Sequence, residues 1–348
     1  MALHVMTEID LPKITLEPGE RERPTLKTIA RLLNLAVPTV SRALSDAPDI
    51  GAKTKARVRA LADELGYRPN RAGLRLRTGK TNVITLILCT DHDVMNHTAK
   101  LINAVASALR GTSYHLIVTP YFPDESPLDP VKYVVETGSA DGVILNRVQP
   151  DDPRVTYLKE HNFPFALHGR TNTCTDAPYM DFDNGVFGAH CMDAFHKRGR
   201  KNVLIVAPPQ DQNYAQHLIR GSKERAATLG IEAAVLPDAT SDSPSDLVTG
   251  AVERYLSAHP ATDAIICASA PVALATTRAI EKLGRVIGDD IDLAAKEAIP
   301  LLKAFREDIL VCYEDVGETG AFLAEALIRA IDAPHLPPMQ KLITPEPP

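Results

Sequence analysis

This chain has little that would cross-link it, anchor it in a membrane or give it chemistry to catalyse. Its 348 residues include five cysteines. Cys89, Cys174, Cys191, Cys267 and Cys312 lie far apart and form no CxxC pair, so they read as reduced core thiols rather than a disulfide framework. No apolar run approaches the roughly 20 residues that span a bilayer, so no membrane partner is expected. The opening MALHVMTEIDLPK has no basic stretch followed by an apolar one, which argues against secretion and for a cytoplasmic protein. GxGxxG, GxSxG and HExxH are all missing. TGKT at 78–81 imitates the end of a phosphate loop, but Leu74 stands where the first glycine belongs, and the segment precedes a strand rather than a helix. His92 and His97 have no third ligand nearby in sequence, so neither a metal nor another cofactor is expected. Asp289 and Asp290 fall in a glycine-bearing turn and read as solvated. With no compact acid–base constellation, the chain does not read as an enzyme.

What is present is an uneven distribution of charge. The net charge of −6 hides a basic segment, residues 23–80, with thirteen Lys and Arg against four acids. A compact basic segment on an acidic body is the electrostatic footprint of a nucleic-acid contact, although a solvated charged face has the same composition.

The pattern along the chain divides it. Residues 1–23, interrupted by Pro12, Pro18 and Gly19, read as a disordered leader. From Thr25, a helix cap, Leu26, Ile29, Ala30 and Leu33 recur at helical spacing. A tight turn at Asn34 leads to VPTVSRAL, Val37 to Leu44, and a third helix carries Val58, Leu61, Ala62 and Leu65 on one stripe until Gly66 stops it. A helix, a tight turn and a second helix at this spacing fit the major groove. The segment 69–81, dense in arginine, reads as a hinge. From Asn82 short apolar runs such as VITLIL, GVIL, FALH, VLIVA, AIIC and LVCY alternate with amphipathic helices. Buried strands alternating with helices specify parallel sheets covered on both faces, and there are too many strands for one open sheet. The expected fold is therefore α/β: a three-helix head over 24–68, then two doubly wound lobes within 82–348. One lobe takes about 82–182 with 314–339, the other about 183–313 with the proline-rich tail. Ligands in such sheets sit at the carboxyl ends of the strands.

The stretch TLKTIARLLNLAVPTVSRALSDAPDIGAKTKARVRALADELGYRPNRAGLRLRTGKT resembles the N-terminal region of LacI-family repressors, through TVSRAL, KTKARV and GYRPN together. DGVI at 141–144, FDN at 182–184, Arg220-Gly221 and VALATTRAI at 272–280 are similar to the same family's periplasmic-binding-protein-like core, so the resemblance covers nearly all of 24–344. It implies a helix-turn-helix regulator that binds a palindromic operator as a homodimer, probing base edges through Val37 and Pro38, with Arg42 as a further base or phosphate contact. It places Thr25, Thr39, Ser41, Thr54, Tyr67 and Asn70 at phosphates, with Arg71 beside them, and makes Leu76 a minor-groove wedge in a hinge that folds only on DNA. Ala36 replaces the usual capping hydroxyl and Gly73 the usual alanine. The same resemblance assigns an effector cleft to Cys89, Asn146, Arg147, His168, Arg170, Tyr214, His217, Ser269, Glu297 and Glu314, with Lys296 beside them. Leu218 stands where an arginine commonly grips sugar hydroxyls, and Ser269-Ala270 replaces a common Asn-Asp. The effector is expected to be a sugar, polyol, sugar acid or sugar phosphate. Arg147 and Arg170 either grip an anion bidentately or make structural ion pairs. A transport-type sugar-binding protein and an enzyme on a doubly wound fold are the rival readings.

Overall fold

The computed structural model describes residues 24–68, 75, 79–90, 95–173 and 176–348. The leader, Asn70, Arg71, Gly73 and Leu76 of the hinge, His92 and Cys174 lie outside the described residues. The chain divides into two compact units, 1–81 and 82–348, at the point where the apolar pattern changes period.

In the first unit, α1 (Leu26–Leu33), α2 (Val37–Leu44) and α3 (Ala52–Glu64) surround a small core of Ile29, Ala30, Leu33, Val40, Ala43, Val58, Leu61 and Ala62. A reciprocal capping box starts α1: the Thr28 N–H donates to Thr25 Oγ1 (3.3 Å) and the Thr25 N–H to Thr28 Oγ1 (3.2 Å). Asn34 ends that helix in the left-handed region (φ 51°), which a short polar side chain tolerates, and its N–H closes the turn on Ala30 and Arg31 carbonyls. Helix α2 starts at Ala36 without a side-chain cap; Pro38 in its first turn pre-sets the backbone instead.

The second unit holds two parallel sheets. The first runs β11–β5–β4–β3–β1–β2, built from Gln340–Ile343, Tyr179–Phe182, Phe165–His168, Gly142–Leu145, Val83–Cys89 and His115–Tyr121. Helices α4 (Met95–Ala108) and α12 (Val316–Asp332) cover one face, α5 (Asp129–Thr137) and α6 (Pro153–Glu160) the other. The second sheet runs β10–β9–β8–β6–β7, from Leu310–Tyr313, Asp292–Glu297, Ala264–Cys267, Asn202–Val206 and Glu232–Val235. Helices α7 (Asn184–Lys197) and α8 (Asn213–Leu229) pack on one side of it, α9 (Ser245–Ala258) and α10 (Ala270–Lys282) on the other, and α11 is the single turn Leu302–Phe305. The chain passes between lobes at Phe182–Asn184 and at Tyr313–Val316.

Two features depart from expectation. The sequence pattern groups the tail with the second lobe, but β11 pairs in register with β5 in the first sheet, and the residues after it reach across, where Cys312 Sγ donates to the Glu346 carbonyl (3.1 Å). An edge strand with alternating exposure has too few apolar residues to announce which sheet it joins. Strand β7, with the modest sequence EAAV, was not anticipated. Gly221, singled out by its pattern, has a steric role: a Cβ there would stand 2.3 Å from the Gly185 carbonyl oxygen, so glycine is what lets α7 and α8 touch.

Candidate functional site

The head carries its charge outward. Lys27, Arg31, Arg42, Lys53, Arg59 and Arg68 are all exposed, as are Thr25 and Pro38, while Val37, Thr39, Ser41, Thr54 and Tyr67 are half-buried. Val40 and Ala43 face the core, so the opposite face of α2 presents Pro38, Ser41 and Arg42 to solvent. Two acids already hold part of this basic surface. Asp49 pairs with Arg42, and Asp46 lies 3.0 Å from both Lys55 and Arg59. Arg42, Arg59 and both acids are exposed, so these pairs are of the weak surface kind, while Lys55 is largely covered. Thr25 has a second duty as the α1 cap, and Val37 packs against the small core.

In the second unit a cavity of about 150 Å³ opens between the lobes. It is walled by the carboxyl ends of β3, β4, β5, β6, β8, β9 and β10, where parallel sheets place ligands. Of the residues expected there, Asn146, Arg147, His168, Tyr214, Ser269, Lys296, Glu297 and Glu314 line it. Arg170 and His217 do not; they line a separate groove between α7 and α8. Cys89 is absent from the walls, and Leu218 is sealed in the second lobe's core. Glu297 lines the cavity but is committed to structure, because its Oε2 accepts the Leu301 and Leu302 N–H groups (3.0 and 2.8 Å) and so starts α11.

Glu314 is the electrostatic centre. Lys296 Nζ sits 2.8 Å from its Oε2, while His97 and His168 direct Nε2 at its Oε1 from 3.8 and 3.7 Å. Burial pushes the Glu314 carboxyl up, but the Lys296 ammonium and the two imidazoles outweigh burial and hold it well below the usual carboxylate range. Burial keeps His168 below its ordinary value despite Glu314. Lys296 also donates to Asn184 Oδ1 (3.1 Å) and lies 4.9 Å from the Phe182 ring.

Both arginines proposed to grip an anion are occupied. Arg147 NH2 stands 2.5 Å from Asp242 across the cleft, with side chains 13% and 10% exposed. Arg170 Nε lies 2.9 Å from Asp181. Burial raises the Asp181 carboxyl to about 7 against the pull of Arg170. The structural ion pair is therefore the arrangement found for both. Arg147 holds a positive φ of 52°, and the nearly inaccessible Arg154 pins that turn: its NH2 donates to the carbonyls of Asn146 (3.2 Å) and Arg147 (3.1 Å), while Asp152 grips it at Nε (3.0 Å) and NH2 (2.7 Å).

His97, Asp181, Asn184, Asp242 and Arg154 were missed in the sequence. The local signs were DDPR, an aspartate cap followed by a proline and an arginine, and FDN, which ends on Asn184; the rest reach the cleft from remote segments. Asn146 Oδ1 is buried and has no hydrogen-bond partner among the described residues.

A helix-turn-helix unit joined to two parallel-sheet lobes with a cleft defines the class of ligand-controlled DNA-binding regulators. Residues 25–70 match the model of bacterial regulatory proteins of the lacI family, and 82–323 match that of the periplasmic binding proteins and sugar-binding domain of the LacI family. The chain belongs to the LacI family of transcriptional regulators. It is 30% identical to the HTH-type transcriptional regulator AglR of Rhizobium meliloti (strain 1021), over 88% of this chain and 87% of that one. With RafR of Escherichia coli it shares 33% identity over 55% of this chain and 57% of the other. The fold matches the lac repressor dimer bound to operator and the anti-inducer ONPF (TM-score 0.78, 18% identity, 93% and 97% coverage). It also matches the CelR–cellobiose complex (TM-score 0.66, 23% identity, 93% and 98% coverage).

Proposed function

We propose that this regulator is a cytoplasmic, homodimeric repressor without enzymatic activity. Its paired heads bind a palindromic operator, and a neutral, hydroxyl-rich molecule, a sugar or polyol, releases or strengthens that binding. The observation that carries the ligand class is the charge state of the cleft. Its walls present Asp181, Asp242, Glu297 and Glu314 against Arg147 and Lys296, and each of those cations is paired with one of the acids. An anionic sugar acid or phosphate would enter a net acidic site with no unpaired lysine or arginine among the described wall residues. A hydroxyl, by contrast, donates readily to Asn146 Oδ1, which lacks a partner. Apolar walls from Phe182, Pro208, Ala270 and Ile299 suit the faces of a sugar ring. About 150 Å³ accommodates one six-membered ring.

Support for the DNA reading comes from the outward basic face of α1 to α3. Arg42 and Pro38 on α2 are the base-edge candidates, with Val37 at the rim of the core; Thr25, Thr39, Ser41, Thr54 and Tyr67 are the phosphate candidates. Two-fold pairing of heads matches a palindrome, and the regulator switches only if the ligand prefers one arrangement of the lobes.

A thermal-shift series with neutral sugars, polyols, sugar acids and sugar phosphates tests the ligand class. A compound at 100 times its dissociation constant stabilises by about 2.7 kcal/mol. Stabilisation by neutral compounds is expected, and stabilisation by sugar phosphates or acids alone would overturn the neutral class. Gel shifts with and without the stabilising compound then read the switch.

A further inference from the structure

We propose that His97, His168 and Glu314 form a binding site for one divalent first-row transition metal ion, of the zinc, nickel or cobalt kind, with open coordination positions facing the cleft. The three donors, two imidazole Nε2 atoms and one carboxylate oxygen, lie within 4.8 Å of one another. The sequence pairs His97 with His92 by proximity; the fold instead brings it, from α4, to the end of β4 and to the residue that follows β10. Ligands at 2.0–2.1 Å from a tetrahedral metal stand roughly 3.3 Å apart. The two imidazole-to-Oε1 separations, 3.7 and 3.8 Å, need to close by only a few tenths of an ångström, while the two imidazole nitrogens, within 4.8 Å of each other, have further to move.

The surroundings fit this role. Glu314 is buried and its position is fixed, its N–H donating to the Glu297 carbonyl (2.9 Å). The Lys296 ammonium stands 2.8 Å from Oε2 as an ion pair, which leaves Oε1 to face the histidines, and an outer partner of this kind orients a ligating carboxylate. Two imidazoles and one carboxylate select zinc, nickel or cobalt over magnesium or calcium, which prefer all-oxygen shells. The rings are nearly parallel, 5° apart with centroids at 5.2 Å, so their lone pairs run side by side. Capture therefore turns one ring, and His97, 28% exposed against 12% for His168, is the one with room. The Lys296 ammonium opposes a second cation nearby, which places the affinity below that of a closed structural zinc site. His97 and His168 belong to the first lobe, whereas Glu314 continues β10 with its N–H on Glu297 of the second sheet, which also carries Lys296, so the ion bridges the lobes. Where the cleft holds a polyol, a point that rests on the function proposed above, its vicinal hydroxyls complete the coordination.

The test uses the full chain after chelator treatment, titrated with Co²⁺ and read by its visible d–d bands, then challenged with Zn²⁺. One Co²⁺ per chain, displaced by Zn²⁺, is expected, with affinity falling at least tenfold in both His97→Ala, which keeps the wild-type melting temperature, and Glu314→Gln, which melts lower but still cooperatively because Lys296 loses its carboxylate. His97→Gln serves if His97→Ala does not fold. His196 and His259 remain in every variant, so metal held at the surface would persist. Absent bands, or titrations unchanged by His97→Ala, overturn the site. Thermal shifts with neutral sugars on the chelated protein separate the two readings: sugar stabilisation without Co²⁺ bands sinks the metal alone, and Co²⁺ binding without any sugar response sustains the metal and sinks the sugar cleft.

Discussion

The head and the cleft solve opposite electrostatic problems. In the head, charges mostly of one sign stand exposed on short helices, and Asp46 and Asp49, which restrain some of them, are themselves exposed. In the cleft, charges of both signs are buried and matched, Lys296 to Glu314 and Arg147 to Asp242. An exposed pair contributes about 0–1 kcal/mol and exchanges its partner easily, whereas breaking a buried pair leaves an uncompensated charge. On the function proposed above, the head trades its acids for DNA phosphates, and the cleft holds its shape for a ligand that brings no charge.

The sharpest way to break this comparison is to separate the units. Removing residues 1–81 is expected to abolish operator binding in gel shifts while leaving a folded core that melts cooperatively and still responds to ligand. A fragment without the circular dichroism of a folded α/β protein would show that the units depend on each other.

Within the core, Arg154→Met should cost about 3–5 kcal/mol in urea denaturation, because Asp152 is left buried and unpaired. It should also loosen the turn that carries Asn146 and Arg147, so ligand stabilisation should fall along with stability. A loss below about 1 kcal/mol would mean the buried network is as replaceable as the head's surface pairs.

A third effect concerns pH. Burial, with Arg170 and Arg220 nearby, pushes the His217 imidazole down to about 4. The unfolded chain then binds more protons than the folded one between that value and the ordinary 6.5. The contribution is complete above pH 6.5 and is lost as pH falls toward 4, by up to about 3 kcal/mol. His217→Gln should flatten the stability profile between pH 7.5 and 5; an unchanged profile would assign the acid sensitivity elsewhere.

The smallest effects belong to the head. Arg42→Ala should weaken DNA binding and, if phosphate is its partner, lower the salt slope by about 0.9. Asp49→Asn should do the reverse, raising affinity by no more than about 1 kcal/mol, since Arg42 no longer has to leave an ion pair. Neither should move the melting temperature of the core. If Asp49→Asn weakens binding, the pair positions Arg42 rather than competing for it.

The two regions also differ in how far the sequence exposes them. The head was legible because its determinants are local: Thr25 caps the helix it precedes, Asn34 turns the chain, and the stripe of Val58, Leu61 and Ala62 shows its period directly. Most core strands and helices were legible for the same reason, since a four-residue apolar run such as GVIL declares itself. The separation of the cleft from the α7–α8 groove was not. Arg170 and His217 belong to the groove because of the closeness of α7 and α8, which Gly185 and Gly221 permit by lacking side chains. Asp242, the partner that occupies Arg147, lies on another lobe, and no spacing along the chain connects them.

Local sequence pattern sets the helix-turn-helix, the alternation of strand and helix, the boundary at Asn82 and the placement of a cleft at strand ends. Each follows from periodicity and caps read within a few residues. Tertiary structure decided which charges neutralise which, that β11 joins the first sheet, and that His97 meets His168 and Glu314. Those outcomes depend on distances between segments far apart in the chain, and only the packing of the two sheets and their helices sets such distances.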